Sequence, residues 1–174
     1  MNPQTKPQAK SQTKANAMNP STTQTEVKAQ SQSDFYARYR DRFYGVLRWP
    51  QLDELWQHIK EQKNSQWYIY AIGEAVPEVP ATVEQLERFI QQIDALLRKE
   101  HVEDYCGVVY ADNLTAPSFV KIYDPNNLGV VCGYSNNPPL PGWILSHCQP
   151  AELNSHTFIS QSRKRWWQRL FSQS

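Results

Sequence analysis

The sequence predicts an α+β fold, in which an antiparallel sheet of about five short strands forms a meander and about three helices pack on one face. Apolar residues recur at helical spacing in three segments, whereas short runs rich in β-branched and aromatic residues occur between loops that contain Pro, Gly, Asn and Asp. The predicted element order is α-α-β-α-β-β-β-β. Because the last strands follow one another through short loops, we expect antiparallel neighbours and helices on one face of the sheet.

Three helices are predicted from apolar spacing and from their first residues. Asp34–Leu47 places an aromatic or aliphatic side chain at every third or fourth position, and Pro50–Gln62 begins with a proline, which suits the first helical turn. The third and longest helix follows Thr82, and Thr82 with Gln85 matches the pattern of a capping box.

Five strands are predicted from short β-branched and aromatic runs. They are Gln66–Ile72, Cys106–Ala111, Ser118–Tyr123, Leu128–Cys132 and Trp143–His147. The segment from Asp124 to Asn127 (DPNN) suits a type I turn, and the proline-rich segment Gly133–Gly142 predicts a longer loop. Within it, Asn136–Pro141 contains a P-x-x-P pattern, which we interpret as a rigid loop rather than as a polyproline ligand.

Composition divides the chain of 174 residues into three parts. Residues 1–33 contain no aromatic side chain and are rich in Gln, Thr, Ser and Lys, so we predict a disordered arm. Residues 34–155 form a single globular α+β domain with 10 basic and 16 acidic residues, a net charge of 10 − 16 = −6. Residues 156–174 form a tail with four basic and no acidic residues. An acidic domain thus lies before a basic tail.

Several classes of function find no support in the sequence. No apolar run approaches the roughly 18 residues of a membrane-spanning helix, and no secretory signal is present. We therefore expect a cytoplasmic protein, with the inner membrane surface as an alternative location. No phosphate-binding glycine motif occurs, and we expect no cofactor. Arginines alternate with aromatic residues over Phe35–Arg48, but the surrounding domain is acidic, so nucleic-acid binding is not favoured.

Metal binding is also not favoured, because no calcium-loop or Cys-x-x-Cys motif occurs. The three cysteines are too few and too scattered for a disulfide framework, and we expect them to be buried. The acidic residues that could hold a hard cation are better explained as turn or surface residues; they are Glu100, Glu103, Asp104, Asp112 and Asp124.

A weak catalytic candidate lies where the third helix meets the next strand. His101, Asp104 and Cys106 could supply a base, an orienting carboxylate and a nucleophile, and His147 beside Cys148 is a similar pair. Neither has the local signature of a cysteine enzyme. The alternative function is therefore a small enzyme or ligand-binding domain, with a pocket near His101 and Cys106, the Asp124–Gly129 turn and the Gly133–Gly142 loop.

The tail carries the strongest functional signal. A helix over Arg163–Phe171 would place four apolar side chains on one arc and the basic side chains opposite them. The candidate binding residues are Arg163, Lys164, Arg165, Trp166, Trp167, Arg169, Leu170 and Phe171. Three targets fit such a helix: a protein partner, an anionic membrane surface, or the acidic domain of the same chain.

The leading hypothesis is a non-enzymatic accessory or adaptor protein. Its acidic α+β domain and its basic, Trp-rich tail would both bind a protein partner. Weak peripheral attachment to a membrane through the tail is the second alternative.

Overall fold

The computed structural model describes residues 1, 20–126, 140–153 and 160–171. In these residues four helices and a five-stranded antiparallel sheet confirm the α+β class. The elements in chain order are α1 (Pro20–Tyr39), β1 (Tyr44–Val46), α2 (Trp49–Glu61), β2 (Tyr68–Ala71), α3 (Val83–Glu100), β3 (Val109–Ala111), β4 (Phe119–Ile122), β5 (Trp143–Ser146) and α4 (Gln161–Phe171).

The sheet order is β1-β3-β4-β5-β2, which corrects the predicted strict meander. Strands β3, β4 and β5 do follow one another as antiparallel neighbours. Strand β1 pairs with β3 and strand β2 pairs with β5, so the two N-terminal strands form the two edges. The physical reason is the crossing of α2, which connects β1 to β2 and buries its apolar side against the main core rather than leaving the two strands side by side.

The main core lies between one face of the sheet and helices α2, α3 and α4. Side chains alternate along each strand, so that Val120 and Ile122 of β4 face this core while Phe119 faces the other way. Helix α3 contributes its whole apolar stripe, which includes Phe89 and Ile93. Its first turn has the predicted capping box, in which Gln85 N donates to Thr82 Oγ1 and Thr82 N donates to Gln85 Oε1.

A second core covers the opposite face of the sheet, which corrects the prediction that all helices pack on one face. Phe35 of α1 is fully buried there, and its ring lies 5.5 Å from that of Phe119. Tyr70 and Ile144 complete this cluster from strands β2 and β5. Because these strands carry large apolar side chains on both faces, a helix on each side is needed to exclude water.

The first predicted helix differs from α1 at both ends. Helix α1 begins at Pro20, inside the segment predicted to be a disordered arm, and it ends at Tyr39. Residues 44–46 form the edge strand β1 instead of the last helical turn. Gly45 suits this strand, because a Cβ atom there would lie 3.2 Å from the Tyr110 ring.

Lys121 of β4 closes the C-terminal end of α1. Its Nζ donates a 2.6 Å hydrogen bond to the carbonyl oxygen of Tyr39 and lies 3.8 Å from the centre of the Phe43 ring. A cation at a helix C-terminus satisfies carbonyl groups that lack a helical partner. Burial lowers the pKa of Lys121 to about 8.

Several predicted features lie wholly or partly outside the described residues. These are most of the N-terminal arm, the strand Leu128–Cys132 and the greater part of the Gly133–Gly142 loop, including its P-x-x-P segment. Among the helices that are described, none combines the length and the apolar character needed to cross a membrane.

Candidate functional site

Helix α4, the predicted basic tail helix, packs against the domain of its own chain. Leu170 is 6% exposed and belongs to the main core. The ring centre of Trp166 lies 5.5 Å from that of Trp143 on β5. The ring centre of Trp167 lies 6.3 Å from that of Phe89 on α3. The apolar arc predicted from the sequence therefore faces the domain.

A buried ion-pair cluster fixes the first turn of α4. Arg163 Nε donates to Asp124 Oδ2 at 2.6 Å, and its Nη2 donates to Asp124 Oδ1 at 2.7 Å. Arg163 Nη1 donates to Glu100 Oε1 at 3.0 Å, and Nη2 donates to Glu100 Oε2. The guanidinium group also lies over the Trp143 ring, 5.7 Å from its centre. We name Arg163, Glu100 and Asp124 the α4 clamp.

The clamp is electrostatically strong because it is shielded from water. Arg163 and Asp124 are both buried. Burial alone would lower the pKa of Arg163, but the hydrogen bonds and charges of Asp124 and Glu100 outweigh it and raise that pKa above its ordinary value. A planar guanidinium bound at two points by a carboxylate has a defined orientation, so the clamp sets the position of the helix as well as its contact.

The opposite side of α4 faces solvent. Arg165 and Arg169 are exposed, and neither forms an ion pair with another described residue. Trp166, one position after Arg165, is half-buried. We name this side, which carries Arg165 and Arg169 and is bordered by Trp166, the outer face of α4. It combines two exposed cations with one aromatic side chain.

The tail contacts the acidic domain of the same chain, which is one of the three targets predicted for it. Arg163 and Leu170, two of the candidate binding residues, are buried in this contact. Trp166, Trp167 and Phe171 pack against the main core but stay half-buried, whereas Arg165 and Arg169 are exposed. The cations left for another molecule are therefore those of the outer face, together with Lys164, which is half-buried.

A cavity of about 320 Å³ lies beside the first turn of α4. It is bounded by the end of β2, the residues after β4, the start of β5 and α4 itself. Its lining includes Glu74, Leu140, Trp143, Lys164 and Trp167. The sequence predicted a pocket near the Asp124 turn and the loop that ends at Gly142, and both of these residues line the cavity. His101 and Cys106 do not line it.

The catalytic candidates are not assembled into a site. Cys106 is fully buried, and burial raises the pKa of its thiol despite hydrogen bonds from the Val108 and Val109 backbone. The His101 ring packs edge-on near Trp49, and no hydrogen bond joins it to Cys106 in the part of the chain that is described. Asp104 is exposed.

His147 and Cys148, the second candidate pair, are both shifted by burial towards their uncharged forms. Burial raises the pKa of the Cys148 thiol and lowers the pKa of His147. The His147 ring centre lies 4.1 Å from that of Trp67, and its Nε2 has no hydrogen-bond partner among the described residues.

Three of the five acidic residues considered as cation ligands, Glu100, Asp112 and Asp124, have other partners. Asp112 accepts hydrogen bonds from the backbone of Asn113, Ser118 and Phe119, and thereby closes the loop between β3 and β4. Glu100 and Asp124 bind Arg163. Within the described ranges, no group of three or more His, Cys, Asp or Glu residues is arranged to hold a metal ion.

No protein-family model matches the sequence, and comparisons with curated proteins and with solved structures also found no match.

Helix α4 was predictable from the sequence, but the residues that hold it in place were not. Glu100 and Asp124 were interpreted as surface or turn residues, although they bind a cation that lies 63 and 39 positions further along the chain. The one available signal was the segregation of charge between an acidic domain and a basic tail. That signal predicts attraction between the two parts, but it does not identify which carboxylates take part.

Proposed function

We propose that this chain is a non-enzymatic accessory or adaptor protein that binds an acidic protein partner through the outer face of α4. The observation that carries the proposal is the fixed position of α4. Its clamp arginine and its apolar arc contact the domain of the same chain. Arg165 and Arg169 remain exposed, without an ion-pair partner among the described residues.

The residue types of the outer face support a protein interface. Trp and Arg are enriched among the residues that dominate binding energy at protein interfaces, and Arg165 and Arg169 lie beside the half-buried Trp166. Because the helix is already folded and fixed, binding there requires little additional ordering, which favours affinity. Two unpaired cations favour a partner surface that carries carboxylates.

The same geometry disfavours the membrane alternative. An interfacial helix inserts its apolar face among the lipids. In α4, however, Leu170 is buried in the main core, and Trp166 and Trp167 pack against that core. Inserting that face would require α4 to leave the domain and break the Arg163 clamp. The non-enzymatic part of the proposal depends on the burial of Cys106 and on the lack of a hydrogen bond between it and His101 among the described residues.

The proposal can be tested by site-specific photo-crosslinking in cells that produce the chain. A photoreactive amino acid at Ser162, which lies on the same surface as Arg165 and Arg169, reports molecules that contact the outer face. We expect a crosslinked protein whose contacted peptide is acidic. The double variant R165E/R169E should abolish the crosslink.

The matched control is K60E/K63E, which makes the same change in net charge at exposed lysines around the end of α2. It should keep the crosslink. A crosslink that survives R165E/R169E, or a contacted peptide without acidic residues, would overturn the proposal. Flotation with phosphatidylserine vesicles is a second measurement. If the chain binds these vesicles and R165E/R169E abolishes the binding, the target of the outer face is an anionic membrane and not a protein.

A further inference from the structure

The cavity beside α4 is lined by two aromatic side chains and by two charged side chains of opposite sign that form no ion pair with a described residue. Glu74, which follows β2, and Lys164, in the first turn of α4, both line it and are both half-buried. Neither side chain forms an ion pair with another described residue. A half-buried charge without a partner loses hydration that a ligand of opposite charge can replace.

The remaining walls combine an apolar part with polar groups. Trp143 is buried and Trp167 is half-buried, and Leu140 and Ile72 extend this apolar part. Polar groups come from Asn126, Ser160 and Ser162. At about 320 Å³ the cavity is at the lower end of the ~300–1,000 Å³ range that is typical of small-molecule sites. Such sites are mostly apolar and carry a few polar groups that orient the ligand.

We propose that this cavity binds a small zwitterion with an apolar body, the chemical class of a free amino acid with an aliphatic or aromatic side chain. Lys164 binds the carboxylate, Glu74 binds the ammonium group, and Trp143 and Trp167 contact the apolar body.

Alternative ligand classes fit the lining less well. A phosphate or another multiply charged anion would leave Glu74 as an unfavourable like charge at the same cavity. A neutral hydrocarbon would leave both Glu74 and Lys164 without partners. A zwitterion satisfies both charges and adds no net charge beside the Asp124–Arg163 pair, which also lines the cavity.

Binding also affects α4, because the two charged residues lie on different elements. A zwitterion held by Lys164 and Glu74 would link the first turn of α4 to the loop that follows β2. A ligand that binds only the folded state raises the free energy of unfolding. The ligand should therefore stabilise the docked position of α4.

Isothermal titration calorimetry and thermal unfolding of the full chain test this inference. The probes are L-leucine and L-tryptophan, with 4-methylpentanoate, which lacks the amine, and 3-methylbutylamine, which lacks the carboxylate. We expect saturable binding and a raised Tm with an amino acid, and binding at least about tenfold weaker with either analogue, because each leaves one charge unpaired.

The variants E74Q and K164M should each weaken amino-acid binding by about tenfold or more, since each removes one charged contact. Lys63→Met, at an exposed position that does not line the cavity, is the matched control for K164M and should bind as the unaltered chain does. No saturable binding at millimolar concentration, or equal binding of the amino acid and its analogues, would overturn the inference. Neither result depends on partner binding, because Arg165 and Arg169 do not line this cavity.

Discussion

Arg163 binds Asp124 through two parallel hydrogen bonds, from Nε to Oδ2 at 2.6 Å and from Nη2 to Oδ1 at 2.7 Å. Both residues are buried, and they lie 39 positions apart in the chain. Removing one member of a buried ion pair leaves the other as an unpaired charge, which is much more costly than losing an exposed pair. This contact therefore makes the stability of the fold depend on α4.

The variant Arg163→Met should lower the free energy of unfolding by about 3–5 kcal/mol, because Asp124 would remain buried without its cation. Urea denaturation followed by circular dichroism measures this change. Arg163→Lys should also destabilise the fold, because an ammonium group cannot reproduce the two-point contact.

Two further variants control this experiment. Arg165→Met changes an exposed arginine of the same helix and should alter the free energy of unfolding by no more than about 0.5 kcal/mol. The double variant R163M/D124N should recover part of the loss, because Asp124→Asn removes the unpaired charge. A loss below about 1 kcal/mol in R163M would contradict a buried clamp.

Leu170→Ala tests whether the C-terminal turn of α4 belongs to the core. We expect a loss of about 2–3 kcal/mol in the free energy of unfolding, near the lower end for buried leucines because the site lies at the margin of the core. Val102→Ala, at an 89% exposed position, is the control and should have little effect. Equal stability of L170A and the unaltered chain would mean that this turn does not pack in solution.

His147 should make the fold sensitive to mild acid. Burial, opposed in part by Asp112, lowers the pKa of its imidazole in the folded state. The unfolded chain therefore binds a proton near pH 6.5 before the folded chain does, and the free energy of unfolding falls as the pH falls through that range. Urea midpoints at about pH 7.5 and about pH 5.5 measure this fall.

The substitution His147→Gln removes the titrating group and should make the pH dependence of stability shallower over the same interval. An unchanged slope in H147Q would assign the acid sensitivity to other groups.

Cys106 should resist modification until the chain unfolds. A variant that retains only this cysteine, C132S/C148S, should not react with Ellman's reagent at neutral pH, because the thiol is fully buried and its pKa is raised. Addition of denaturant should release the full reaction. Rapid labelling of the native protein would instead revive the hypothesis of cysteine chemistry near His101.

The elements with strong periodicity were predictable from the sequence. Helix α3 begins at its capping box as predicted, and α2 lies within one residue of its predicted bounds. Four predicted strands are present with shorter bounds. In each of these elements the apolar residues that face the core recur at a regular spacing, and this spacing is enough to identify the element.

What could not be predicted depends on distant partners. A three-residue edge strand such as β1 is too short to show a period, and its identity depends on pairing with β3. The burial of Arg163 depends on Glu100 and Asp124, and an isolated arginine in a basic tail is normally exposed. The placement of α1 on the second face depends on which strands become neighbours.

The strand order has a consequence for synthesis of the chain. The two edge strands, β1 and β2, are translated before the three strands that separate them in the sheet. During elongation the apolar stripes of α2 and α3 therefore leave the ribosome with no sheet to cover them. Helix α4, which contributes Leu170 and the clamp arginine, follows all the strands. We expect the nascent chain to stay unfolded, and dependent on chaperones, until α4 has been added.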